Sequence, residues 1–551
     1  MMDSFTPSLP SARYTFSDLP EVTMPRCAIK RPSTYKTTLN AGMLYPIFCD
    51  EALPGDTFTL DASVLARLST PITPFMDNLV MDLQFFAVPL RLVWEHWQNF
   101  CGEKVNPSDQ TSYTVPFVSV GASGAPVGSL ADYFGLPTGI QWSDHDVQAL
   151  PFRAYNLVWN EWYRDQNIQD SVTVDTGDTS VDVSTFKLLP RGKRKDYFTS
   201  ALPWPQKGAA VSLGLSGTVP VVGNGKAFGF EDNLGHSFTL DATAKTGSGG
   251  NYRDPLYTFH TGYSSTSSTA LQYTKDPSKS GLVASIDDGS ASFSINALRQ
   301  AVALQRLLET DARGGTRYTE ILRAHFGVTS PDARLQRPEL LGSFSVPLAL
   351  HTVPQSSGTG TSSSTPQGNL SAFGLATGES RAFSKSFVEH SIILGLVSIR
   401  SDLTYQQGIP RMWSRSTRYD YYWPELSSLG EQAILNKEIY AQGKNKKDSS
   451  GELYDNKVFG YQERWSEYKY GYSKITGELR STFDQSLDYW HLSQKFDELP
   501  TLSSAFIVEN PPVQRVLAVT DAPQFIFDAY FDLNCVRPMP LYCVPGLVNH
   551  F

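Results

Sequence analysis

The sequence predicts a mainly β protein built as an antiparallel sandwich, on three observations. Apolar and polar side chains alternate with a period of two over 58–68, 79–87 and 525–535, as in strands with one buried face. An almost continuous apolar run spans 392–399, which is typical of a strand covered on both faces. These segments lie near opposite ends of a 551-residue chain, which favours non-local antiparallel pairing over a βαβ repeat.

The apolar side of each alternating segment supplies the predicted core. Asp82 and Gln84 fall on the polar side of the second segment, and Asp528 and Asp532 on that of the third. The residues predicted for the core are Phe58, Leu60, Leu79, Met81, Leu83, Phe85, Phe525, Phe527, Phe531 and Leu533.

Helical segments are subsidiary in this sequence. Apolar residues at helical spacing over 294–309 predict one helix. We expect 94–100 and 155–162 to form short helices whose aromatic side chains pack onto the sheets.

Composition divides the chain into three parts. Residues 208–288 are rich in Gly, Ser and Thr and predict an insertion with short strands and turns, while 355–371 predict an exposed loop. Residues 1–207 then hold an N-terminal arm and the first half of the sandwich, and 289–551 hold the second half.

Bulk composition indicates an ordered protein that contacts other chains. Charged residues make up only 18% and aromatic residues 12%, the reverse of a disordered composition. Low charge also suits surfaces buried between subunits. A net charge of −9 argues against nucleic-acid binding as the main role. The N-terminus lacks a secretory pattern, and no apolar run approaches the roughly 18 residues of a membrane span, so we expect a cytosolic product.

Motifs for catalysis, cofactors and metals are weak. The five cysteines show neither a disulfide framework nor a zinc spacing, and 223–229 resembles a flexible turn more than a phosphate loop. His390 beside Glu389 is better interpreted as a structural histidine than as a catalytic one. Asp528 and Asp532 form either a metal-binding or glycosidase-type pair or, more simply, a solvated or interface surface. We therefore predict no catalytic residue and no cofactor.

Basic residues cluster in three segments. One is Arg26, Lys30, Arg31 and Lys36; the second, over 187–207, includes Arg191, Lys193, Arg194 and Lys195; the third, 299–337, is rich in arginine. Such clusters either neutralise phosphates or form solvated faces and subunit salt bridges. Tyr197, Phe198 and Trp204 lie among them, where they either stack on bases or fill a core.

A series of blocks from about residue 20 to the end resembles one family, the major capsid proteins of the Microviridae, and within it the gokushoviruses. The blocks follow one another in the family's order and are interrupted by 208–288 and by the Ser-rich loop. They are YKTTLNAG (35–42), DEALPGDTF (50–58), ARLSTP (66–71), MDNL (76–79), WNEWYRD (159–165), KDYFTSALPWPQ (195–206), RYTE (317–320), HFGV (325–328), GYQE (460–463), PQFIFD (523–528) and VPGL (544–547).

The resemblance implies an eight-stranded antiparallel jelly roll with two facing four-stranded sheets and long loop insertions. It implies a homo-oligomeric T=1 icosahedral shell around circular single-stranded DNA, located in the virion after assembly in the bacterial cytoplasm. It also implies an internal scaffolding protein, a small basic DNA-binding protein and a minor or pilot protein as partners. The insertion 208–288 would form a protrusion at the threefold axes that contacts a host surface receptor. The rival interpretations are a β-sandwich receptor- or carbohydrate-binding attachment protein and a β-sandwich glycosidase.

Overall fold

The computed structural model describes residues 25–212, 295–329, 336–358 and 367–542, together with five short strands between 221 and 284. Antiparallel pairing prevails among its strands. The strands are β1 (Cys27–Leu39), β2 (Tyr45–Ala52), β3 (Thr57–Leu68), β4 (Leu79–Pro89), β5 (Val118–Ser119), β6 (Val181–Asp182), β7 (Val221–Gly223), β8 (Gly229–Glu231), β9 (Ser237–Thr239), β10 (Gln272–Tyr273), β11 (Leu282–Ala284), β12 (Glu339–Pro347), β13 (Ala349–Pro354), β14 (Leu370–Ser386), β15 (Ser391–Ser401), β16 (Glu431–Leu435), β17 (Val458–Glu463) and β18 (Phe525–Arg537).

The helices are short, with one exception of 19 residues. They are α1 (Trp97–Phe100), α2 (Leu130–Tyr133), α3 (Leu150–Val158), α4 (Ile295–Arg313), α5 (Tyr318–Phe326), α6 (Asn436–Ile439) and α7 (Ser504–Ile507). None of the helices in the described residues is both long enough and apolar enough to cross a membrane.

A five-stranded sheet has the order β1–β18–β3–β14–β13. Its centre joins distant parts of the chain, because β18 pairs with β1 from Cys27↔Arg537 to Leu39↔Phe525 and with β3 on its other side. Buried and accessible residues alternate along both β3 and β18. The predicted alternation and non-local antiparallel pairing are therefore confirmed.

A four-stranded sheet has the order β12–β4–β15–β2 and faces the first sheet. Nearly every residue of β15 is buried, because Ile393 and Val397 point between the sheets while Ile392 and Leu394 point into a second apolar layer. The predicted strand with two covered faces is thus confirmed.

Aromatic side chains fill the space between the two sheets. The Phe531 ring centroid lies 5.2 Å from that of Phe48 and 6.5 Å from that of Phe85, in edge-to-face contacts that add to the apolar burial. All ten residues predicted for the core are at most 2% exposed within this cluster.

The number of strands differs from the expected two sets of four. Strand β13 adds a fifth strand at the edge of the first sheet, where it pairs with β14 from Ala349↔Leu375 to Pro354↔Leu370. The expectation of two four-stranded sheets is wrong in this respect, because the chain turns back after β12 and continues the sheet edge beside β14.

Without β13, the two facing sheets together contain eight strands. Along the chain they alternate between the two sheets, except that β4 and β12 are neighbours in the same sheet. We interpret this antiparallel β-sandwich as the expected jelly roll. The connection from β4 to β12 runs from residue 90 to residue 338 and therefore holds the long insertions.

The outer face of the four-stranded sheet carries the second apolar layer. Helix α3 packs on β4 and β15, and a π-helical turn, Trp159–Tyr163, continues it. Trp94 and Tyr155 are fully buried in this layer. The short helices expected near 94–100 and 155–162 are present with shifted bounds, and their aromatic residues contact the sheet as predicted.

This layer also changes the environment of β4. The sequence pattern placed Asp82 and Gln84 on a polar face, but Asp82 is only 6% exposed, and Phe86 and Val88 on the same face are fully buried. A carboxylate at this position must be paired because burial removes its hydration.

A separate compact unit comprises Gln206–Thr310. Its described strands form a sheet of order β10–β8–β9 and a β11–β7 pair. The predicted helix over 294–309 is present as α4, although Ser294 itself and most of the predicted insertion 208–288 lie outside the described residues.

Candidate functional site

The first group of predicted basic residues lies on and beside β1. The Lys30 ammonium is 2.8 Å from Asp532 and that of Lys36 is 3.5 Å from Asp528, both across the β1–β18 pair. Arg31 pairs with Asp50 of β2 at 2.7 Å, and Arg26 donates hydrogen bonds to the Gly55 carbonyl and the Thr57 hydroxyl. The ion pairs in this group are exposed, so each contributes little to stability.

The second group lies on an extended segment, residues 191–195. The Lys193 amide donates to the Ile507 carbonyl at 2.8 Å, and the Glu509 amide donates to the Arg191 carbonyl at 2.8 Å. Side chains alternate along an extended chain. Arg191, Lys193 and Lys195 therefore line one cavity, whereas Arg194 pairs with Asp402 at 3.2 Å.

This cavity, which we call the basic cavity, has a volume of about 440 Å³. Three more arginines from distant parts of the chain line it, namely Arg164 after the π-helical turn, Arg317 before α5 and Arg400 in β15. Arg317 falls within the arginine-rich segment that the sequence indicated. Arg164 and Arg400 carry no local charge signal and are brought to the cavity only by the fold.

One buried and two partly exposed carboxylates compensate part of this charge. Asp82 lies 3.1 Å from Arg191 and 2.6 Å from Arg400. Arg317 pairs with Glu161 and Glu320, each at 3.2 Å. These pairs hold the guanidinium groups in place at the wall of the cavity.

Other cations of the cavity have weaker or neutral partners. The Lys195 ammonium, whose side chain is 58% exposed, lies 2.5 Å from Asp165. Arg164 donates to the Gln169 carbonyl at 3.0 Å, and Lys193 donates to the Gln494 side-chain oxygen at 2.8 Å. The cavity therefore carries an excess of positive charge.

The pKa values of Lys193 and Asp82 are both lowered, by different causes. Burial lowers the pKa of Lys193 to about 8, although Glu509 and Asp196 act in the opposite direction. Burial alone would raise the pKa of Asp82, but the hydrogen bond from Ser345 and the charges of Arg191 and Arg400 outweigh it and hold this pKa below its usual value. Asp82 is thus charged at neutral pH. Lys193 titrates near pH 8, close to neutrality.

The cavity has the chemistry of an anion site. Guanidinium and ammonium groups donate charge-assisted hydrogen bonds to phosphate oxygens, and arginine does so with two parallel donors. Thr199, Asn167 and Gln169 add neutral polar groups to the lining. These are donors of the kind from which phosphate oxygens accept hydrogen bonds.

The weak catalytic candidates all have structural partners. His390 packs against the Trp97 ring at 5.3 Å, and Glu389 pairs with Arg91 at 2.8 Å. Asp528 and Asp532 pair with the lysines of β1. Within the described residues, no group of three or more His, Cys, Asp or Glu side chains is arranged to hold a metal ion.

The sandwich with its long ordered loops and its charge-lined cavity defines an antiparallel β protein. The family described as capsid protein (F protein) matches residues 17–547, and the chain belongs to that family. It is 43% identical to the capsid protein VP1 of Bdellovibrio phage phiMH2K, with 98% of each chain covered.

Two further relatives extend the comparison. The chain is 43% identical to the capsid protein VP1 of Chlamydia phage 1, with 98% of each covered. It is 36% identical to the capsid protein VP1 of Spiroplasma virus 4, with 95% of this chain and 96% of that protein covered. The predicted family is confirmed, and with it a structural protein of the virion that self-assembles into a shell.

Proposed function

We propose that this chain is the major subunit of a T=1 icosahedral shell that encloses the circular single-stranded DNA of a small bacteriophage. The observation that carries the proposal is similarity to phage capsid proteins over 98% of the chain. Closed point-group symmetry lets one chain build such a shell by repeating the same contacts. Many individually weak contacts then sum to a stable particle, and no catalytic step is required.

The basic cavity is proposed to contact phosphates of the packaged DNA on the inner wall. The two cations with neutral hydrogen-bond partners, Arg164 and Lys193, support this role. The chain as a whole carries a net charge of −9, so the cavity would supply local contacts while a small basic DNA-binding protein neutralises most of the genome.

Assembly is proposed to occur in the cytoplasm of the bacterial host, with an internal scaffolding protein and a minor or pilot protein as partners. The test is electron microscopy of particles purified after expression of the full chain with these partners. We expect closed isometric shells of uniform size. A chain that stays monomeric at high concentration in the presence of the scaffolding protein would contradict the proposal.

The insertion 208–288 is proposed to form a protrusion that binds a host surface receptor. Its support is the Gly, Ser and Thr-rich composition and its place within a compact unit of its own. Exchanging it for the corresponding segment of a related phage should change adsorption to cells, while the sandwich folds normally. Loss of all soluble protein on exchange would contradict this modular view.

An attachment protein remains the alternative from another class. It predicts binding to cells or oligosaccharides by a chain that forms no shell. The same micrographs separate the two, because only the capsid proposal yields closed particles.

A further inference from the structure

An exposed aromatic surface follows β15 in the chain and is formed by residues that do not line the basic cavity. Tyr421, Tyr422, Trp423 and Tyr468 form it together with Arg415 and Arg418, and we call these six residues the aromatic platform. Its four rings are between 36% and 54% exposed. Met412, Trp413 and Tyr419, close by in sequence, are also more than half exposed.

Contacts join the platform into one surface. The Arg415 guanidinium lies 4.2 Å from the centroid of Tyr468 and 5.7 Å from that of Tyr421. The Tyr422 ring contacts Tyr468 at 6.4 Å, and Arg418 covers Trp423 at 4.5 Å. Arg415 thus bridges two of the rings by cation–π stacking, and Arg418 stacks on a third.

The platform is held in position although its chain has no regular strand or helix. Short 3-10 turns, Arg418–Asp420 and Pro424–Leu426, shape it. The Asp420 carboxylate accepts hydrogen bonds from the Thr417 and Ser416 amides at 2.7 and 2.9 Å, and the Trp423 indole donates to the Arg418 carbonyl at 3.0 Å. A surface ordered in advance loses less entropy when it binds.

Charge distinguishes the platform from a nucleic-acid surface. Arg415 pairs at 3.1 Å with Glu467, and the adjacent Arg411 pairs at 3.1 Å with Glu438; both carboxylates are almost completely buried. The charge of Arg415, one of the two platform arginines, is therefore matched from below. Phosphate backbones need an excess of positive charge, as in the basic cavity.

We propose that the aromatic platform packs against a second copy of this chain in the shell. Tyr, Trp and Arg are the residues enriched in the cores of protein interfaces. At about 200 Å² for each aromatic side chain and roughly half exposure, the four rings present on the order of 400 Å², about half the share of one partner in a standard-size interface.

The proposal rests on the proposed shell function, and its test separates the two. The full chain carrying Tyr421→Ser and Tyr422→Ser is expressed with the assembly partners, beside the wild type and Tyr318→Ser, which removes an exposed tyrosine of α5. We expect the double variant to give at least about tenfold fewer particles, with soluble subunits of unchanged thermal midpoint. The wild type and Tyr318→Ser should give normal yields.

Three outcomes contradict the platform assignment. The first is a normal yield of DNA-filled particles from the double variant. The second is a normal yield of particles from the double variant that have lost only their DNA. The third is an equal loss of particles in Tyr318→Ser. Absence of particles from the wild type would instead contradict the shell function itself.

A measurement on the wild type covers the case in which the double variant does not fold. Hydroxyl-radical footprinting compares Tyr421, Tyr422 and Trp423 in free subunits and in particles. We expect their oxidation to fall about fivefold or more on assembly, in line with burial in an interface core. Equal oxidation in both states would overturn the proposal.

Discussion

The Asp82 carboxylate lies 3.1 Å from the Arg191 guanidinium at the wall of the basic cavity, with Arg400 2.6 Å from the same oxygen. The Asp82 side chain is 7% exposed and that of Arg191 is 9% exposed. One buried carboxylate thus faces two cations, of which Arg191 is buried and Arg400 is 16% exposed.

We predict that Asp82→Asn destabilises the subunit by about 3–5 kcal/mol, because it leaves Arg191 and Arg400 without this counter-charge. Urea unfolding at pH 7 measures the free energy. Asp61→Asn is the matched control, since Asp61 pairs with Arg381 at 3.1 Å while both side chains are well exposed, and its cost should be about 0–1 kcal/mol. Equal costs for the two variants would contradict the prediction.

The same pair predicts a dependence of stability on acid. The folded-state pKa of Asp82 is lowered, so the unfolded chain binds a proton first as the pH falls. The contribution of Asp82 is present above the ordinary aspartate pKa of about 3.9 and is lost as the pH falls through the lowered value. In acid titrations, Asp82→Asn should therefore lose less stability below pH 4 than the wild type does.

Lys193 predicts a different pH dependence, that of anion binding. Its pKa is about 8, so raising the pH from 7 to 9 removes one positive charge from the basic cavity. The affinity of the purified chain for a short single-stranded oligonucleotide should fall over that range. In Lys193→Met this fall in affinity between pH 7 and 9 should vanish. The salt dependence of oligonucleotide binding should decrease by about the amount that one phosphate contact contributes. An unchanged fall in affinity between pH 7 and 9 in the variant would show that another group titrates.

Neutralising either basic group should impair genome retention if that group faces the lumen. If the cavity faces the lumen, Lys193→Met with Lys195→Ala lowers the fraction of DNA-filled particles more than the total number of shells. Lys30→Ala with Lys36→Ala tests the β1 group in the same way. Sedimentation separates filled from empty shells. Equal loss of both kinds would instead indicate a role between subunits.

Gly395 provides a test of packing between the sheets. A Cβ atom there would lie 2.7 Å from Phe85 Cε1 and 2.8 Å from Phe48 Cβ, closer than van der Waals contact allows. Gly395→Ala should cost about 1–3 kcal/mol by overpacking. Gly471→Ala, where no atom lies within 4 Å of the added carbon, should change the unfolding free energy by less than about 0.5 kcal/mol. Chemical denaturation of both variants compares these costs.

The local sequence pattern was sufficient to predict the strands and the core between the sheets. Alternation along β3 and β18 and the continuous apolar run of β15 are short-range signals, since a side chain's face depends only on its parity along the strand. The core residues Phe58, Phe85 and Phe531 follow from that parity. Blocks such as KDYFTSALPWPQ were sufficient to identify the family, since their order along the chain is itself sequence information.

Tertiary structure alone decided the partners of the charges. The sequence shows Lys193 and Lys195 as a basic cluster, but Arg164 and Arg400 join them only because the π-helical turn and β15 end beside the same extended segment. Asp82 is buried because a second layer covers β4, and β13 joins the first sheet because the chain turns back beside β14. Such contacts link residues far apart in sequence, where no local periodicity records them.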